Sequence, residues 1–258
     1  MAQEYGFEGV EVWGGRPHAY AHDMGREEIQ AILGWKKQYG VEISMFTPEI
    51  LAYPYSLTSS MEKERRETIE YLLKSVETAA RLGTDKMQIT AKHPGYGVKR
   101  ETVWGYLEEG TSILCRRAGE LGVDIILESL SPSEGNTITC VDDILELQER
   151  VNSPALCAMI DMVPPFIANE PYSDYLERLG TSMKYVHICN GDGTTEFHMQ
   201  LDDRNGVIPV ADFFRILKRY GYDGWCSLEL LNPYFRDPEL YLSEAQRCIR
   251  RIRQELEL

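Results

Sequence analysis

No stretch of this 258-residue sequence approaches the roughly 20 consecutive apolar residues that a membrane helix needs, so the chain reads as neither spanning nor anchored to a bilayer. Its start, MAQEYGFEG, has no charged n-region and no apolar h-region, so no secretory signal is read there and a cytoplasmic location is the default expectation. The six cysteines, Cys115, Cys140, Cys157, Cys189, Cys226 and Cys248, form no CxxC pair. Several fall inside apolar runs, which points to reduced, buried thiols and away from a disulfide framework or a cysteine-ligated structural zinc. Basic residues are outnumbered by acidic ones, 27 against 41, for a net charge of −14 with no local basic strip. Such a surface repels a phosphate backbone and excludes general nucleic-acid binding.

What is present is an alternation of short β-rich runs with longer helical patterns, the signature of repeated βα units around a parallel sheet. Seven strands are expected: Val10 to Trp13, Val41 to Phe46, Lys86 to Thr90, Asp124 to Leu127, Cys157 to Ile160, Tyr185 to Cys189 and Cys226 to Leu230. Between the second and third, Lys63 to Leu82 carries Ile69, Leu72, Leu73, Val76, Ala79 and Ala80 on one face at helical spacing. Gly40, Gly83, Gly122 and Gly221 each close a helical pattern just before a strand, as left-handed caps do. The segments EYGFEGVEVW and RYGYDGWCSLEL repeat one helix-end, Gly-aromatic-acid-Gly, strand unit near both ends of the chain. The fold class expected is therefore α/β, a TIM (β/α)8-type barrel as a single domain over residues 1–258. Seven strands and a helix-end pattern over Glu4 to Gly9 lead to the expectation that the first strand is lacking at the N-terminus.

Four of the apolar runs carry a polar group at or near their ends: Glu128 in IILESL, Asp161 in CAMIDM, His187 in YVHICN and Glu229 in CSLELL. Each costs several kcal/mol, roughly, to bury without a partner, so four on successive strands call for a shared reason. One divalent cation supplies it. Three carboxylates and an imidazole suit Mn, Co, Ni or Zn, and the C-terminal ends of barrel strands are where active sites form. Trp13, His18, Glu49 and His93 lie at or just beyond strand ends, where they would line a pocket. Arg16 offers a planar fork for a substrate carboxylate. The NGDG run at Asn190 to Gly193 is only a turn signal.

The segments GVEVWGGRPHAYA at 9–21, FTPEILAYPY at 46–55, AKHPGY at 91–96, ILESLSPSEGN at 126–136 and DPELY at 237–241 resemble the xylose-isomerase-like barrels of sugar epimerases and isomerases. The resemblance covers nearly the whole chain. It implies a metal held by Glu128, Asp161, His187 and Glu229, with Glu128 and Glu229 doubling as an acid/base pair and Glu134 contacting the sugar. It implies a 3-epimerase of a ketose or a fructoselysine-like ketosamine, working through an enediolate. Its substrate is a small sugar or sugar-amine, with a homo-oligomer or partner subunit as further associations.

Two departures from the pattern of the resembled family stand out: Glu196-Phe197-His198 followed by MQLDDRNGVIP stands where that family tends toward an Asp-x-His pair and a shorter Pro-Gly-x-Gly turn, and Pro164 stands where many of its sugar epimerases carry a histidine three residues after the Asp ligand. His198, in that replaced segment, is taken as a further substrate contact. Other readings on this scaffold are an aldose-ketose isomerase and a metal-assisted lyase or deglycosylase of a sugar conjugate. A three-metal endonuclease barrel is disfavoured, because five histidines are few for it and DNA would meet an acidic surface. A non-catalytic remnant with an open barrel edge is the last alternative.

Overall fold

The computed structural model describes residues 1–230 and 237–257. Seven parallel strands form one sheet in chain order. β1 is Gly9–Gly14, β2 Glu42–Pro48, β3 Lys86–Ile89, β4 Asp124–Leu127, β5 Leu156–Asp161, β6 Met183–Ile188 and β7 Trp225–Leu228. The helices that wrap them are α1 Arg26–Tyr39, α2 Glu62–Leu82, α3 Arg100–Leu121, α4 Val141–Val151, α5 Val163–Ile167, α6 Tyr172–Leu179, α7 Val210–Arg219 and α8 Pro238–Leu256. This is the TIM-barrel architecture, with β1 and β7 at the two ends of the strand order. Residues 2–6 form turns, and β1 begins at Gly9.

The strands expected from the sequence are all present, within one or two residues at their ends. Gly40, Gly83 and Gly122 cap α1, α2 and α3 in the left-handed region, and Gly221, also at positive φ, follows the C-cap Tyr220 of α7. Among the described residues no helix is long and apolar enough to cross a membrane.

Two apolar layers result from strand alternation. The larger lies between sheet and helices and includes Ile125, Leu127, Ile160, Val186 and Ile188 from the strands. The smaller fills the barrel itself: Met45, Ile126, Cys157, Met159 and Tyr185, with Trp225 packed against it. Side chains two residues apart share a face of a strand. Ile126, Met159, Tyr185 and Trp225 facing inward therefore place Glu128, Asp161, His187 and, two turns of the pleat on, Glu229 on the same inner face, at its C-terminal rim.

Candidate metal centre and the cleft above it

Register brings the four polar groups together. Asp161 of β5 pairs directly with His187 of β6, and His187 with Ser227 of β7. Glu128 and Glu229 follow β4 and β7 by one residue, and their backbone N–H groups donate to Ile89 and Ile188, extending the ladders. One ligand atom from each of Glu128, Asp161, His187 and Glu229 lies within 4.8 Å of the others. Two ligands of a single first-row ion, each about 2.1 Å from it, sit roughly 3 to 4 Å apart, so the spacing suits one cation.

His187 supplies the test of whether these residues fit a metal. Its ring is 2 % exposed. Nδ1 lies 2.6 Å from Glu229 Oε2, 3.4 Å from Glu128 Oε1 and 3.7 Å from Asp161 Oδ2. Despite this crowd it has no hydrogen-bond partner. A buried ring nitrogen facing three carboxylates without a hydrogen bond is costly unless a cation stands among them. The donor set and the orphaned nitrogen both fit a divalent ion.

The electrostatics of the metal-free cluster point the same way. Burial pushes the Glu128 carboxyl up to about 7, against the opposing pull of His187 and with help from Glu229 and Asp161. Burial also acts on Asp161, yet the charge and hydrogen bond of His198, the charge of His187 and the Val163 amide outweigh it and hold Asp161 at about 2. His187 is raised well above the usual imidazole range: burial opposes its charge, and Glu11 and Glu229 overcome it. Packed acids that repel one another in this way are stabilised by a bound cation.

The adjoining group of Asp161, Cys189 and His198 is spaced like a second donor set. Its chemistry is that of a support for the first. His198 Nε2 is 3.0 Å from Asp161 Oδ2, and burial pushes the Cys189 thiol up to about 12, far from the thiolate a metal requires. Asp161 is held from the other side by the Val163 N–H, which donates to Oδ1 at 2.6 Å. Gln88 Nε2 similarly donates to Glu128 Oε2.

Above the centre is a cleft of about 160 Å³, lined by Trp13, Glu49, Gln88, Glu128, Leu130, Glu134, Asp161, Pro164, Glu196, His198 and Glu229 among others. Trp13 Nε1 donates to Glu49 Oε2 at 3.0 Å, fixing the indole at the rim. Thus Trp13, Glu49, Glu134 and His198 are brought to the cleft. Arg16, His18 and His93 are not among its lining residues. The Arg16 guanidinium is gripped by both oxygens of Asp23, at 2.6 and 2.8 Å, and lies over the Tyr20 ring. His18 stands edge-on to Trp13, and exposed His93 Nδ1 accepts from the Gly95 N–H.

Larger clefts of about 720 and 400 Å³ lie at the opposite, N-terminal end of the strands and along the seam between β1 and β7. Neither gathers a comparable donor set.

Sequence reasoning missed Glu11, Gln88 and Glu196. Glu11 Oε2 is 2.9 Å from His187 Nε2, and Thr47 Oγ1 donates to Glu11 Oε1. Burial opposes its ionisation, but the charge of His187 and hydrogen bonds from His187, Thr47 and Ser227 keep its pKa below the usual carboxylate value. In VEVW it reads as the solvent-facing residue of an alternating strand, and only the position of Glu11 two residues below a strand end hints otherwise.

The xylose isomerase-like TIM barrel family matches residues 1–252. A curated relative, fructoselysine 3-epimerase of Escherichia coli O157:H7, is 34% identical over 244 residues, covering 95% of this chain and 88% of that protein. Among solved structures, a D-tagatose 3-epimerase-like protein aligns with TM-score 0.85 at 19% identity, over 98% of this chain and 91% of that one. The D-psicose 3-epimerase of Clostridium cellulolyticum H10, solved with D-tagatose, aligns with TM-score 0.83 at 15% identity, over 99% and 91%. Family match, curated relative and fold agree with the site: this chain belongs to the xylose isomerase-like TIM barrel family and is an enzyme of the epimerase and isomerase class.

Proposed function

We propose that this chain is a divalent-metal-dependent 3-epimerase of a ketose or ketosamine. The observation that carries the reading is the convergence of Glu128, Asp161, His187 and Glu229 at the C-terminal rim, with the two glutamates one residue past the ends of β4 and β7, the outermost of four neighbouring strands. Glu128, Asp161, His187 and Glu229 would hold one Mn, Co, Ni or Zn ion. When bound, such an ion supplies positive charge beside the sugar oxygens that become negative as a carbon-bound proton leaves.

The protein groups do the rest. Inverting a carbon next to a ketone requires removing its proton on one face and returning one on the other, which takes two proton-carrying groups flanking the sugar. Glu128 and Glu229 are assigned that work, one as base and one as acid, with Gln88 orienting Glu128. Trp13 and Leu130 supply apolar walls that limit water.

The charge of the cleft supports an amine-bearing sugar. Glu49, Glu134 and Glu196 add three carboxyl groups to those of the metal centre, with burial keeping Glu134 protonated near neutral pH, and no Lys or Arg is among the described lining residues. A phosphorylated sugar would be repelled there, whereas a protonated ketosamine complements it. The name of the 34% identical relative, fructoselysine 3-epimerase, agrees with this choice.

Metal-loaded protein incubated in deuterated water with ketoses and fructosamines tests the reading. Deuterium is expected at C3, and Glu128→Gln is expected to slow its uptake by about 10²- to 10⁴-fold. Deuterium entering only at the positions that aldose-ketose interconversion exchanges, or at none, would overturn it.

A further inference from the structure

We propose that Glu11 is a positioning residue that presents His187 to the metal, an assignment that rests on the metal-centre reading above. Glu11 lies in the middle of β1, and its side chain is 15 % exposed. Its Oε2 meets His187 Nε2 at 2.9 Å and accepts from the Tyr185 hydroxyl at 3.1 Å, while Oε1 accepts from Thr47. Tyr185 OH is in turn 2.7 Å from Ser44 Oγ. The carboxylate is thus held from β2 and β6 and cannot swing away without breaking several bonds.

An ionised carboxylate only accepts hydrogen bonds, so the proton in the Glu11–His187 contact belongs to Nε2. That fixes the tautomer. In the neutral ring that metal ligation requires, Nδ1 is then left with its lone pair, and it is the nitrogen that lies within 4 Å of Glu128, Asp161 and Glu229 without a hydrogen bond. A carboxylate behind a ligating imidazole fixes ring orientation and strengthens the donor.

Backbone irregularity serves the same arrangement. The register of β1 on β2 shifts between Val10 and Glu11, so that Ser44 has no β1 partner, and that of β5 on β6 shifts between Ala158 and Met159, skipping Lys184. Bulges re-aim side chains beside functional sites. Here they let Ser44 and Met45 both reach Tyr185, one by hydrogen bond and one by packing. Glu11 also spans a seam: no β1–β7 pairing occurs among the described strands, and the groove between them is lined by Glu11, Ser44, Tyr185 and Ser227. The Glu11 side chain is therefore a tie from β1 to the strand that carries His187.

The test compares wild type with Glu11→Ala, Glu11→Gln and Ser44→Ala. Co²⁺ or Zn²⁺ affinity is measured by chelator competition, and the His187 ring nitrogens are observed by NMR in Zn²⁺-loaded, ¹⁵N-histidine-labelled protein. Glu11→Ala is expected to weaken binding by about 10- to 100-fold. Glu11→Gln, whose amide oxygen still accepts from Nε2–H, should lose less and retain the tautomer. Ser44→Ala removes only the hydroxyl that holds Tyr185 and should weaken binding less than Glu11→Ala does. Protonated Nε2 and metal-bound Nδ1 are expected in wild type.

Unchanged affinity in both folded Glu11 variants, or a wild-type spectrum with Nδ1 protonated and Nε2 on the metal, would overturn the assignment. Wild type that takes up no divalent ion would instead overturn the metal reading, and this assignment with it.

Discussion

Glu134 shows how the site's residues act on one another. Burial, then the negative charges of Glu196 and Glu128, push its carboxyl up to about 8. Burial likewise raises Glu196, against the opposing pull of Ser131. Between about pH 4.5 and 8 the native metal-free protein keeps a proton on Glu134 that the unfolded chain has already released, so stability falls as pH rises through that window. Glu134→Gln should remove this contribution. Thermal unfolding of the metal-free variant is expected to match wild type near pH 4.5 and to occur at a higher temperature than wild type at pH 8. Equal melting temperatures at pH 8 would show that Glu134 is not held protonated.

At this scale the sequence disclosed the strand-end acids, because a carboxylate closing an apolar run is conspicuous. It did not disclose Glu11 or Glu196. The first is disguised by regular alternation in VEVW, and the second lies in a loop whose approach to Glu134 depends on chain path alone.

Among the elements, α2 was legible because its apolar spacing persists from Ile69 to Leu82, about four turns, and ends on a glycine. Leu72, Val76, Ala79 and Leu82 are fully buried. The breadth of its buried face was less apparent. Tyr71, Thr68, Ser75 and Thr78 are also buried, because α2 packs on both β2 and α3. Tyr71 donates to the Gly14 carbonyl at 3.0 Å and stacks on Tyr55 at 4.3 Å, which anchors the loop after β1 that carries Arg16 and His18.

Leu72→Ala should cost about 2–5 kcal/mol through lost burial and the cavity left behind. Gly83→Ala, at φ 76°, should cost about 1 kcal/mol from backbone strain alone, since nothing lies within 4 Å of the added Cβ. Denaturant midpoints read both. A Gly83 variant as damaging as the Leu72 variant would mean that the cap position is crowded after all. The short α5, opening on Val163, Pro164 and Pro165, sits just beyond Asp161 and sends its first N–H to that carboxylate. The prolines fit the first turn, where no intrahelical donor is needed.

For the molecule as a whole, the mouth of the barrel gathers six acidic side chains, Glu49, Glu128, Glu134, Asp161, Glu196 and Glu229, around one cleft. Binding one divalent cation there should offset repulsion among Glu128, Asp161 and Glu229 and stabilise the fold. At a free metal concentration about 100 times Kd the gain is about 2.7 kcal/mol. A rise of several degrees in Tm is expected, reversed by a chelator and not reproduced by monovalent salt at equal ionic strength. No metal-specific change in Tm would count against a site at the rim.

The sequence by itself determined the alternation of strands and helices, the helix caps and the polar groups at four strand ends, because these rest on local periodicity and on the cost of burying charge. The tertiary structure decided the rest. Strand register placed Asp161 against His187, two bulges turned Glu11 and Ser44 toward Tyr185, and the loop after β6 carried Glu196 and His198 into the cleft. Those contacts join residues far apart in the chain, and their energies depend on which strands meet and at what offset. No local pattern encodes that.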